Sequence, residues 1–163
     1  MLRNLLKVFA VTLLMSGPAY ADLVIEITEG IKRRPIAVVP FGWTGEGEGP
    51  PVDVAQVISD DLTRSGRFAP IPVADMLQLP SKGADVDFDD WAILGVEAVV
   101  IGTIEQTGDN AYNVQFQLFD VFKGEQMEGV ILRNVTTDRI RKAAHQIGDL
   151  VYEGLTGEKG AFS

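Results

Sequence analysis

Apolar residues along this chain follow two spacings, one typical of β-strands and one typical of helices. Short apolar runs at residues 23–27 and 36–41 predict strands, and the second run suits a buried central strand that ends at Pro40. Residues 68–73 are apolar but contain two prolines, which predicts a short edge strand at most. Between residues 112 and 119, apolar and polar side chains alternate, as they do in a strand with one buried face.

Three other stretches repeat their apolar residues every three or four positions. Residues 52–62, 87–94 and 137–155 are therefore predicted to be helices, with Asp87 capping the second and Gly157 stopping the third. The third helix has the longest apolar stripe, which consists of Ile140, Ala144, Ile147, Val151 and Leu155. Charged residues occupy its other faces, so we expect one side to pack and the other to face water.

The order of the elements indicates an α/β domain. Three strands, at residues 98–104, 112–122 and 130–135, follow the second helix and precede the last one. Apolar strands need cover on both faces. The pattern therefore predicts a mixed β-sheet of about five strands covered by helices, with residues 42–51 as a flexible loop and the strand at 23–27 able to extend as an arm.

The first residues have the layout of a signal peptide. Basic residues precede an apolar run at residues 8–15, and Ala19 and Ala21 supply the small side chains that a signal peptidase reads. Cleavage after Ala21 would leave Asp22 as the new amino terminus. A transmembrane anchor is the alternative, but the run is far shorter than the roughly 20 residues that a spanning helix needs. A lipoprotein is excluded because the chain has no cysteine.

Composition narrows the classes of function. The net charge is −9, and it becomes −11 without residues 1–21, because those residues contain two basic and no acidic side chains. An acidic surface disfavours binding to nucleic acid and to anionic lipid headgroups. The sequence therefore predicts a protein that is at most peripheral to membranes. The remaining 142 residues suit one domain. The lack of cysteine excludes disulfides and thiol chemistry.

Candidate catalytic and binding motifs are incomplete. The glycine-rich residues 42–51 lack the Gly-Lys-Ser/Thr of a phosphate-binding loop and contain two glutamates instead. Asp85, Asp87 and Asp89 resemble the start of a calcium loop, but the required glycine and final glutamate are missing. Helix capping explains these carboxylates better.

The single histidine, His145, has no nucleophile motif beside it, so neither a catalytic triad nor a histidine-rich metal site is expected. Asp60 and Asp61 are interpreted as an exposed helix face. The sequence therefore predicts no metal and no cofactor, and it predicts a protein that is not an enzyme.

Several stretches of the chain form a set of motifs with a fixed order. Residues 22–30 (DLVIEITEG) are followed by residues 34–41 (RPIAVVPF), and later by residues 91–102 (WAILGVEAVVIG) and 155–162 (LTGEKGAF). In order and spacing these motifs resemble the amino-terminal domain of the TolB family, and together they cover essentially the whole chain.

The resemblance implies a periplasmic adaptor of the Tol-Pal system with a small domain similar to anticodon-binding domains. The implied organisation is a signal peptide at 1–21, a partner-binding segment at 22–34, an α/β domain at 35–157 and the start of a linker at 158–163. In the family a six-bladed β-propeller follows and contacts the lipoprotein Pal. Because the chain stops at Ser163, we expect the propeller, and with it the contact to Pal, to be missing here.

The family's amino-terminal segment binds the carboxy-terminal domain of the inner-membrane protein TolA. Residue by residue, this role maps onto Asp22, Leu23, Val24, Ile25, Glu26, Ile27, Thr28, Glu29 and Gly30. A free strand can bind by adding to the edge of a partner's sheet. The residues alone leave open whether 23–27 is instead the first strand of the domain's own sheet. The family's biology further implies roles in outer-membrane integrity, cell division and bacteriocin import.

A second interpretation keeps the fold and changes the function. Envelope proteins related in fold to curli secretion factors and to lipoprotein activators of peptidoglycan synthases also open with a strand like residues 36–41. This chain would then be a secretion-pore subunit or a synthase activator. Such proteins usually begin with a lipidated cysteine, which is absent here.

Overall fold

The computed structural model describes residues 32–163. The predicted signal peptide, its cleavage positions Ala19, Ala21 and Asp22, and the whole predicted TolA-binding segment at 22–30 lie outside the described residues. Within the described range, no helix is long and apolar enough to cross a membrane.

Six strands and three α-helices make up the described chain. The strands are β1 (Arg34–Val38), β2 (Gly42–Thr44), β3 (Phe68–Pro70), β4 (Ala98–Gly108), β5 (Ala111–Asp120) and β6 (Glu125–Thr136). The helices are α1 (Val54–Arg64), α2 (Phe88–Ile93) and α3 (Ile140–Thr156). Short 3-10 turns lie at Val73–Asp75, Gly83–Asp85 and Thr137–Arg139. The predicted α/β class is thereby confirmed.

The strands form one mixed sheet in the order β3-β1-β4-β5-β6. β1 runs parallel to β3 and β4, whereas β5 runs antiparallel to β4 and β6. The short strand β2 also pairs with β4, in parallel and beyond the end of β1. β3 and β6 are therefore the two edges of the sheet.

The prediction of a flexible loop at residues 42–51 is wrong for the first three of these residues, which form β2. They pair with Thr103–Glu105 of β4, because β4 extends past the end of β1 and offers backbone hydrogen bonds that β2 can complete. The rest of the loop is also held: Trp43 Nε1 donates to the Gly47 carbonyl at 3.2 Å, and the Glu46 N–H donates to Gln106 Oε1 at 3.0 Å.

Both faces of the sheet are covered, as predicted. α1 and α3 pack on one face, where Ile58, Phe116 and Ile147 are fully buried. On the other face lies a smaller cluster around Trp91 of α2, which is also fully buried. Burial of a large apolar side chain contributes roughly 1.5–3 kcal/mol, so these two clusters supply the main driving force for folding.

Local signals place the helix ends close to their predicted positions. Asp53 caps α1 by accepting the Gln56 N–H at 3.0 Å, and Asp87 caps α2 by accepting the Asp89 N–H at 3.1 Å. α3 ends at Gly157, whose φ of 74° is the left-handed conformation that glycine adopts without strain. Strands β4 and β6, by contrast, extend beyond their predicted apolar runs, since backbone pairing continues through polar residues. Strand β5 ends at Asp120, two residues before its predicted end.

Candidate functional site

A cleft of about 400 Å³ lies at the edge of the domain where the described chain begins. We call it the terminal cleft, and it is lined by Lys32, Arg34, Arg67, Phe68, Leu155 and Thr156. Lys32, which lines the cleft, follows Gly30, the last residue of the predicted TolA-binding segment, by two positions in the chain.

Arg34 anchors the start of the chain at the terminal cleft. Its Nε lies 2.6 Å from Glu97 Oε2, and its Nη1 donates to the Leu155 carbonyl at 3.1 Å. The guanidinium also lies 5.6 Å above the centre of the Phe68 ring. These contacts join β1 to the start of β4 and to the end of α3, so the residue at the base of the segment is fixed in place.

The last described residues pack beside the same cleft. Glu158 forms an ion pair with Arg67 at 2.9 Å, and the Arg67 guanidinium lies 5.7 Å above the Tyr152 ring. Phe162 meets the same Tyr152 ring edge-on, with 5.7 Å between ring centroids. Residues 158–163 thus lie against α3, next to the anchored start of β1.

Asp149 of α3 holds these last residues by their backbone. Its two carboxylate oxygens accept the N–H groups of Phe162 at 2.6 Å and Ser163 at 3.2 Å. A charged acceptor roughly doubles the strength of such hydrogen bonds. The residues predicted to begin a linker are therefore bound to the domain surface.

The prediction that Asp61 is exposed is wrong, although Asp60 does face water. The Asp61 side chain is completely buried between α1 and α3, with Oδ2 2.7 Å from His145 Nδ1, and it also forms an ion pair with Arg64. A buried carboxylate needs such partners because its desolvation is costly.

The Asp61 cluster suits a structural role better than catalysis. Asp61 is closed to solvent, so a substrate could not reach its carboxylate. A Cβ at Gly148 of α3 would lie only 3.0 Å from Asp61 Oδ2, which shows how closely the two helices approach. The arrangement joins α1 to α3 and leaves His145 about one quarter exposed.

The other candidate binding motifs, the three aspartates and the glycine-rich loop, also have structural explanations. Asp87 acts as a helix cap, and Asp85 lies in an exposed 3-10 turn. In the described part of the chain, no cluster of His, Asp and Glu side chains could hold a metal ion. Residues 45–48 of the glycine-rich loop are exposed and pack against β4 rather than preceding a helix directly.

One signal for the burial of Asp61 was present in the sequence. Asp61 follows Val54, Val57 and Ile58 at helical spacing, so it occupies the apolar face of α1. Its partner His145 is 84 positions away, and no local pattern links the two. The roles of Arg34 and Asp149 likewise depend on contacts between distant parts of the chain.

Comparison with known proteins identifies the family. A sequence model of the TolB amino-terminal domain matches residues 23–127. The Tol-Pal system protein TolB of Nitrosococcus oceani is 49% identical over 92% of this chain and 34% of its own length. The protein of the same name from Thioalkalivibrio sulfidiphilus is 44% identical over the full chain and 37% of its own length. The chain thus spans about a third of the length of the curated relatives that it matches.

Solved structures show the same fold. TolB from Acinetobacter baumannii matches with a TM-score of 0.66 and 33% identity, over 81% of this chain and 30% of that one. The C-terminal domain of LpoB from Salmonella enterica matches with a TM-score of 0.51 and 14% identity, over 61% of this chain and 80% of that one, and shares the fold alone. The family match across 105 residues, together with these relatives, shows that the chain belongs to the family of the TolB amino-terminal domain.

Proposed function

We propose that this chain is a periplasmic, non-enzymatic adaptor of the Tol-Pal system that binds the carboxy-terminal domain of TolA through residues 22–30. The observation that supports it most is the extent of the family match, which begins at Leu23 and so includes all of this segment except Asp22. The relatives are described as Tol-Pal system proteins. The signal-peptide layout before Asp22 supports export.

The proposed mechanism is strand addition to an edge of the TolA sheet. Residues 23–27 are rich in β-branched side chains, and their backbone groups can pair with an open edge. The side chains of Leu23, Ile25 and Ile27 would lie on one face of the added strand and set its register. Cleavage after Ala21 frees the terminus for this pairing.

The anchored start of the domain fits this mechanism. β1 is the second strand of the sheet and begins at Arg34, which contacts Glu97 and Leu155. Because this anchor lies after residues 22–30 in the chain, a partner that binds the segment would leave the contacts of Arg34 in place. The domain then serves as a rigid carrier for the segment.

TolA is the partner proposed for this chain, and Pal is not. The chain spans about a third of its relatives' length, and Pal binding belongs by resemblance to the propeller. Support of outer-membrane integrity, of constriction at cell division and of bacteriocin import would follow from membership of the system.

Calorimetric titration of residues 22–163 into the TolA carboxy-terminal domain tests the proposal. Deletion of residues 22–30 should abolish binding while the circular dichroism spectrum of the domain stays unchanged. Replacing Leu23, Ile25 and Ile27 by serine should weaken binding much more than replacing Val24, Glu26 and Thr28, because only one face of an added strand is buried. Equal binding by the deletion variant, or no binding by residues 22–163, would contradict the proposal and favour the pore-subunit or synthase-activator interpretation.

A further inference from the structure

A groove of about 430 Å³ lies between the end of strand β6 and the first turns of α3, and the proposed function makes no use of it. Leu132, Val135 and Ala143 contribute apolar side chains, and Val135 and Ala143 are almost fully buried. Arg133, Arg139 and Lys142 line the same space with exposed side chains. We call this site the basic groove.

The charge of the basic groove is opposite to that of the domain. Residues 32–163 carry 20 acidic and 12 basic side chains, yet no carboxylate lines the groove. Among the ion pairs of the described residues, none involves the groove's three cations, whereas Arg34, Arg64, Arg67 and Lys123 are all paired. The groove therefore has positive charge available for a ligand.

One carboxylate lies close by in sequence but does not line the groove. Asp138 forms a hydrogen bond with Thr136, which holds the pKa of its carboxyl below the usual range, with a smaller contribution from the charge of Arg139. Asp138 is therefore ionised at neutral pH, and it offsets part of the local positive charge. The lining itself contains three cations and no carboxylate.

The groove continues into an open edge of the sheet. β6 is 12 residues long, and no strand of the described chain pairs with its outer side. Its register with β5 shifts between Leu132 and Val135, so Arg133 and Asn134 form a bulge, and Asn134 has a φ of 55°. Bulges redirect side chains at sheet edges, and here Arg133, Asn134 and Val135 all line the groove.

We propose that the basic groove and the adjoining edge of β6 bind an extended acidic segment of a partner protein. Backbone groups of the segment would pair with β6, its apolar side chains would cover the exposed part of Leu132, and its carboxylates would meet Arg139 and Lys142. A long polyanion or an anionic membrane fits less well, because the surrounding acidic surface would repel it. The site goes beyond the proposed function, since β6 is the edge opposite β3 and the terminal cleft.

Fluorescence titration of residues 22–163 with an acetylated eight-residue peptide of alternating Glu and Val tests the charge requirement. Binding should be saturable, and it should weaken at least tenfold in the double variant Arg139→Glu, Lys142→Glu. The matched control is Lys82→Glu, Lys159→Glu, which makes the same charge change at exposed residues outside the groove. Equal weakening in both variants, or none in either, would overturn the proposal.

Backbone-modified peptides test strand addition without altering the protein. N-methylation of every second residue removes the donors on one edge of an extended peptide, and the complementary set removes those on the other edge. Methylation of one set of positions should abolish binding, and methylation of the complementary set should leave binding nearly unchanged. Equal tolerance of both sets would overturn strand addition.

A titration with vesicles of phosphatidylglycerol tests the choice of partner. Binding to these vesicles with no binding to the peptide would overturn the choice of an acidic protein segment.

Discussion

At the scale of single residues, the buried carboxylate of Asp61 links two helices that are far apart in sequence. Asp61 lies on α1, and its oxygens are shared between Arg64 of the same helix and His145 of α3. Asp61 is fully buried, whereas the His145 and Arg64 side chains are 24% and 63% exposed. Removing His145 or Arg64 should therefore destabilise the domain more than removing Asp61, because water can solvate the two exposed partners but cannot reach the Asp61 carboxylate.

We expect His145→Ala to lower the free energy of unfolding by about 2 kcal/mol, because it removes one of the two side chains that contact a buried carboxylate. Adding Asp61→Leu to this variant should recover part of the loss, since no poorly paired carboxylate is then buried. Urea denaturation of the two variants measures both effects. Asp60→Ala on the exposed side of α1 is the control, and a double variant less stable than His145→Ala would contradict this account.

At the scale of elements, β4 organises the sheet. It pairs with β1 and β2 along one side and with β5 along the other. Gly102 lies in the middle of this strand, where a Cβ would collide with the carbonyl oxygen of Gln115 and with the ring of Phe41. The missing side chain lets the Phe41 ring lie over the strand at the point where the chain passes from β1 to β2.

Gly102→Ala should therefore destabilise the domain by about 2 kcal/mol, which is typical when an extra methyl group is forced into a packed core. Gly108→Ala in the same strand is the matched control, because the nearest atom to its Cβ would be Ala111 Cβ at 3.9 Å. Thermal unfolding of both variants gives the comparison. Similar melting temperatures for the two would contradict this account, because both the Phe41 ring and the Gln115 backbone would then have to shift without cost.

At the scale of the whole described molecule, the first and last residues lie on the same side of the domain. Arg34 contacts the Leu155 carbonyl, and Arg67 pairs with Glu158. Asp149 then holds the backbone of Phe162 and Ser163. The base of the proposed TolA-binding segment and the predicted linker are thus connected through the end of α3.

We expect Asp149→Ala to release residues 158–163 while the core stays folded. Loss of hydrogen bonds to a charged acceptor is worth roughly 1.5–3 kcal/mol, so amide exchange at Phe162 should accelerate by at least about tenfold. Hydrogen exchange monitored by NMR measures this directly. Glu153→Ala, an exposed change on the same helix, should leave the exchange rate unchanged. Unaltered exchange in Asp149→Ala would mean that Phe162 packing alone holds the residues.

Patterns within a few neighbouring residues predicted much of this architecture correctly. The stripe from Ile140 to Leu155 predicted α3 and its buried face, and the alternation after Tyr112 predicted β5. Gly157 marked a helix end because its backbone conformation is a local property. The sheet has six strands, where about five were predicted, because pairing of β2 depends on the length of β4.

The sequence by itself determined the helices, most of the strands and the family motifs, since each of these depends on side chains within a few positions of one another or on their order along the chain. Only the tertiary structure decided the burial of Asp61, the anchor at Arg34 and the basic groove. Each of these joins residues from different elements, and Asp61 and His145 are 84 positions apart. The cost of burying a charge depends on the partners that folding brings to it, and a linear pattern does not contain that information.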